Sequence, residues 1–171
     1  MTGDLVVRVS IWLSLGAWGV AEWWRVRNPR AAVDQARARI AWTLAAGFAL
    51  LHVLAAFHLH HGWSHAAAVA ETARQTEEAL GLRVGAGVYV NYAFLAVWIA
   101  DVLWWWLSPA SFGSRPRAVD AAIRLFLCFM FVSGAIVFPR GPVRIAGVAV
   151  VATLAAAWYG RRGMATHESL R

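Results

Sequence analysis

Five long apolar runs restrict what this chain can fold into more than any other feature. They cover residues 5–24, 40–61, 84–107, 121–138 and 143–160. A hydrocarbon layer about 30 Å thick is crossed by a helix of about 20 apolar residues. No water reaches backbone amides there, so each run must satisfy them internally, as a helix does. The sequence therefore predicts an all-α, polytopic membrane protein: five transmembrane helices in a single membrane domain over 1–171. Composition agrees, with 60% hydrophobic residues and a mean hydropathy of +0.54. Soluble domains are nearer half apolar.

The formal net charge is +7, which in a soluble chain would suggest nucleic acid. Its placement excludes that partner. All 16 basic residues are arginines, and most lie between the apolar runs. Arg25, Arg27, Arg30, Arg37 and Arg39 face a single acid, Asp34, in the first connection. Arg115, Arg117 and Arg124 follow the third run. The second connection instead carries Glu71, Glu77 and Glu78 against Arg74 and Arg83. By the positive-inside rule the N-terminus is expected outside and the C-terminus inside, with the histidine-bearing connection extracytoplasmic. A bacterial inner (cytoplasmic) membrane is the expected location. The 11 tryptophans gather at run ends, as in Trp23–Trp24, Trp42 and Trp104–Trp106, where an aromatic belt belongs. The lone Cys128 reads as packing.

Residues 62–83 form the longest polar stretch. Ser64 is placed to cap a helix and Gly81 to stop one. Between them an Ala-rich segment, 64–80, predicts an extra amphipathic helix, with Arg74 and Glu78 paired at i, i+4. Such a helix either lies on the outer membrane surface or prolongs the second transmembrane helix.

Chemistry concentrates where the second run ends, in "FHLHHGWSH". On an uninterrupted helix, at about 100° per residue, His58, His61 and His65 fall within an arc of about 60°. A break at Gly62 would fold His65 back toward the other two. Imidazoles suit Zn and Cu, and three of them with an open position form a common catalytic zinc arrangement. His58, His61 and His65 are the principal metal candidates, with His52, His60, Asn91 and Asp101 behind them. Asp101 stands out as a carboxylate inside a membrane run, an expensive placement that usually signals function. Cu or Zn is the expected cofactor. Haem ranks lower, because no other transmembrane run offers a facing histidine. "HLHH" (His58, His60, His61) is similar to one histidine box of the membrane fatty-acid desaturases and hydroxylases. Those enzymes hold two irons with several boxes on the cytoplasmic side. One box, in a chain of 6 histidines and expected outside, excludes membership.

The expected function is a small integral membrane protein with a histidine-rich metal site at the extracytoplasmic end of its second helix. It would handle the metal or serve as an accessory subunit of a larger membrane complex. Its partners would be the bilayer and other membrane subunits or a second copy. The alternatives are a scaffolding subunit without metal, and a metal-dependent enzyme acting on a lipid-like substrate.

Overall fold

Helix is the only regular structure among the described residues of the computed structural model, which are 2–27, 31–138, 144–145, 148–149 and 151–152. The elements are α1 (Thr2–Arg27), α2 (Ala32–His60), α3 (His65–Leu80), α4 (Gly87–Leu107), α5 (Pro109–Gly113) and α6 (Arg117–Val132), followed by one π-helical turn, Ser133–Val137. Four helices are long and apolar enough to cross a membrane: Gly3–Arg25, Ala32–His60, Gly87–Leu107 and Arg117–Val137. The chain is thus a membrane-spanning helical protein. The fifth run expected, 143–160, lies mostly outside the described residues.

The chain divides into two compact units, Met1–Cys128 and Phe129–Arg171. In the second, the end of α6 passes into the π-helical turn, closed by Phe138 N–H donating to Ser133 O at 3.1 Å.

α1 and α2 pack closely because both present small side chains to each other. On α2 the stripe Ala38, Ala41, Ala45 and Ala49 is buried, and on α1 Ser10, Ser14 and Ala21 are buried. Small residues let helix backbones approach, the main source of helix association in lipid. The Ser14 hydroxyl donates to Ala45 O at 2.8 Å, a bond between helices. α4 adds a third layer through Phe94, Trp98, Asp101 and Trp105, one buried stripe at helical spacing. Trp98 meets Trp42 edge to face with centroids 5.4 Å apart. Trp42 is therefore core, fully buried, and not a member of the interfacial belt. The reason is that α2 begins ten positions before it, at Ala32, instead of at the start of the apolar run.

α2 does not continue into α3. Trp63 N–H donates to Phe57 O and Ser64 N–H to His61 O, while Gly62 adopts φ 53°. The helix is stopped by a left-handed glycine, closed by a bond reaching back six residues and by an apolar contact across it. The contact is Phe57 with Trp63, centroids 6.4 Å apart. Trp63 is itself left-handed at φ 62°, a strained state for a bulky residue. α3 then starts under Ser64, whose hydroxyl accepts from Ala67 N–H at 3.2 Å. It ends at left-handed Gly81. Gly85 and Gly87 bring the start of α4 against α3. A Cβ on Gly85 would lie 2.7 Å from both the Val69 side chain and its carbonyl oxygen.

α4 ends at Ser108, since the residue before a proline is disfavoured in helix. Pro109 opens α5, and this single short helix returns Phe112 to the core. Its ring stacks on Trp105 at 4.5 Å and 7°.

Candidate functional site

Titratable side chains gather at two ends of the first unit. The arginine end lies where α1, α4 and α6 meet below Trp42. Asp101 is its centre, 2% exposed. Trp42 Nε1–H donates to Asp101 Oδ2 at 2.9 Å, and Arg115 donates to Oδ1. Arg115 also donates to Asp120. Asp120 pairs with Arg124 at 3.5 Å, and Arg124 with Glu22 at 2.8 Å. Glu22 in turn lies 3.7 Å from Arg25. Arg25 is buried between rings, its guanidinium carbon 4.7 Å from the Trp42 centroid and 4.4 Å from that of Trp105. Arg115 lies 4.0 Å over Phe112. Three arginines thus balance three carboxylates across α1, α4, α6 and the segment after α5. Low polarity makes each pair strong, and leaves any member costly to strand.

The histidine end is organised differently, because each imidazole has a separate partner. His52 Nδ1 lies 2.8 Å from Val7 O. A carbonyl only accepts, so Nδ1 carries a proton, and in the neutral ring Nε2 keeps its lone pair. His58 Nδ1 accepts from Trp63 Nε1–H at 3.2 Å. His60 Nε2 is 3.7 Å from Asp4. His61 packs against Phe57, centroids 5.5 Å apart. His65 lies between two phenols, Nδ1 2.9 Å from Tyr92 Oη and Nε2 3.3 Å from Tyr89 Oη.

Among the described residues, no three of His, Cys, Asp and Glu come together so as to hold a metal ion. The stop at Gly62 does bend the chain, but it carries His65 onto α4 rather than back to His58 and His61. Asp101 does not reach this end. Its partner Trp42 lies about 24 Å along α2 from His58 and about 15 Å from His52, at 1.5 Å per residue.

What the structure does bring together is an open cavity of about 980 Å3 at the histidine end. His52, His60, His61, Asn91 and Tyr92 line it with Glu71 of α3. Val7, Val53, Ala56, Phe57 and Val88 form its apolar wall. His58 and His65 lie outside that lining. Glu71 accepts from Arg74 Nη2 at 2.6 Å and from Gln75 Nε2 at 2.9 Å. The Arg74 bonds hold the Glu71 carboxyl well below its ordinary value, at about 2, with Gln75 and His61 adding to the effect. Arg74 is pushed up in turn by Glu71 and Glu78. Glu71 is therefore an anion at the cavity edge under all ordinary conditions.

Comparison with protein-family models, with curated proteins and with solved structures gave no match.

Sequence reasoning passed over Glu22, Arg25, Trp42 and Arg115. Glu22 left a visible signal, a carboxylate within the first apolar helix beside Trp23–Trp24. Arg115 left none, because it comes to Asp101 only through the turn that α5 makes.

Proposed function

We propose that the chain is a small-molecule-binding integral membrane protein whose site is the histidine-end cavity. The observation that carries this reading is the cavity itself. A concave space with an apolar wall and a few convergent hydrogen-bonding groups is the usual form of a ligand site. The His52 Nε2 lone pair offers an acceptor, and the Asn91 amide both donors and an acceptor. The ligand is an amphiphile with a polar head, entering from the bilayer. Arginine placement supports an N-terminus outside, a C-terminus inside and residence in a bacterial inner membrane, so that the cavity opens on the extracytoplasmic side.

A bound Cu or Zn ion is the second reading. What favours it is that His52, His60 and His61 line one cavity, and that His52 Nδ1 is fixed by a backbone carbonyl. Such a bond commonly orients a ligating imidazole. The ion would have to draw these rings together on binding.

Native mass spectrometry of detergent-purified protein tests both readings. Wild type is expected to carry an added organic mass that is reduced in Ala56→Phe, whose ring would intrude on the cavity from its apolar wall. An added metal mass that His52→Ala/His61→Ala loses would select the second reading. Bare protein mass in wild type, after purification in mild detergent with lipid extract added back, would sink the cavity as a binding site.

A further inference from the structure

A second surface lies at the other end of the molecule, where α1 ends and α2 begins. The guanidinium carbons of Arg27 and Arg37 both lie over the ring of Trp24, at 5.3 and 4.7 Å. Two cations from different helices are thus held beside one indole by attraction to its ring. The Arg37 side chain is 54% exposed, and Asp34 at 3.6 Å is its acidic neighbour among the described residues. Arg27 is exposed as well. Two cations against one carboxylate leave a net positive charge at this corner. Arg39 does not share it, being seated over Trp106 at 4.1 Å. Arg25 and Glu22 belong to the buried network.

Two further observations point to what such a corner would take. α2 starts at Ala32 behind Ala31, whose side chain makes no cap, and a single carboxylate, Asp34, stands in its first turn against the positive end of the helix dipole. An anion is the natural complement of uncapped amides. Arg37 also continues into an apolar stripe. Ile40 and Leu44 follow at i+3 and i+7 on the same face, each 53% exposed. Charge at the helix end and exposed aliphatic surface running inward from it match the headgroup and acyl chain of one lipid.

We propose that Arg27, Arg37 and the start of α2 form a binding site for a phosphate group, and that the phosphate belongs to an anionic phospholipid lying along Ile40 and Leu44. Arginine reads phosphate oxygens through its planar fork of N–H donors. Trp24 holds the two forks near each other before the lipid arrives, which lowers the ordering cost of binding. Basic pockets between transmembrane helices hold anionic headgroups by the same combination of charge and shape. The proposal is independent of the histidine-end cavity.

Thermal unfolding of the full chain in a neutral detergent tests it, with phosphatidylglycerol, phosphatidylcholine or inorganic phosphate added. Phosphatidylglycerol is expected to raise the midpoint of wild type, and phosphatidylcholine to leave it nearly unchanged. Arg27→Gln/Arg37→Gln should need about tenfold more phosphatidylglycerol for the same shift. Arg27→Lys/Arg37→Lys, which keeps the charge, should fall between the two. It serves also if the glutamine pair does not fold. Arg8→Gln, an exposed position of α1 outside both sites, should respond as wild type does. Equal shifts with both lipids, or an undiminished response in both double variants, would overturn the site. A shift produced in full by inorganic phosphate would keep the phosphate site and overturn the lipid as its source.

Discussion

The two ends of the first unit use similar side chains to opposite effect. At the arginine end, Asp101, Arg115, Asp120, Arg124, Glu22 and Arg25 form one connected chain, with Asp101 and Arg115 shut away from solvent. At the histidine end, five imidazoles have separate partners, and three of them, His52, His60 and His61, line an open cavity. The difference is one of coupling. Buried charges must be paired with each other, so their geometry is fixed collectively. Half-exposed imidazoles can each take whatever donor or acceptor is near, and water covers the rest.

This contrast is open to direct attack. Asp101→Ala removes one of the two carboxylates paired with buried Arg115 and the acceptor of Trp42. It should destabilise the protein by about 3–5 kcal/mol, read from denaturant unfolding in detergent micelles. His58→Ala/His61→Ala should cost about 1 kcal/mol or less, as expected for exposed or half-buried side chains with weak contacts. If the histidine pair costs as much as Asp101, the histidine end is coupled after all and the contrast fails.

Gly85→Ala comes next in size. Its methyl group would meet the Val69 carbonyl, which is backbone and cannot rotate away. A loss of about 1–3 kcal/mol is expected from such overpacking, together with faster amide exchange in α3. Wild-type exchange would show that α3 is not held by this contact, and that the cavity wall it forms is loose.

The smallest effect is electrostatic. Glu71 titrates at about 2 in the folded protein, against an ordinary 4.5. Its folded value lies below the unfolded one, so the stabilisation it brings is present above about pH 4.5 and fades as the pH falls toward 2. The pair is exposed, so solvent screening keeps the gain small. The stability gap between wild type and Glu71→Gln should be steady from pH 7 to 5 and close below pH 4. A gap that widens on acidification would mean that Glu71 is held by something other than Arg74.

Much of the architecture was legible in the chain. The apolar runs near 5–24, 40–61, 84–107 and 121–138 correspond to the four long helices, each extended or trimmed at its ends. Ser64 and Gly81 delimit α3 because capping is local: a hydroxyl satisfies an amide three residues on, and a glycine accepts a left-handed turn. Gly62 likewise marks the end of α2. Asp101 was legible as a residue that cannot sit unpartnered in a membrane, although its partners were not.

Those partners come from far along the chain. Trp42 is 59 residues away in sequence. Arg115 arrives only because Pro109 starts a short helix that turns the chain back and stacks Phe112 on Trp105. Helical periodicity placed His58, His61 and His65 on one arc, but a single backbone turn at Gly62 and Trp63 redirected His65 to two phenols on α4. The sequence by itself determined what must be buried, what must be helical and where helices stop, because hydration and local hydrogen bonding depend on near neighbours. Which charge meets which, and whether histidines converge, was decided by the tertiary structure, because a rotation of one helix by a fraction of a turn changes every such pairing.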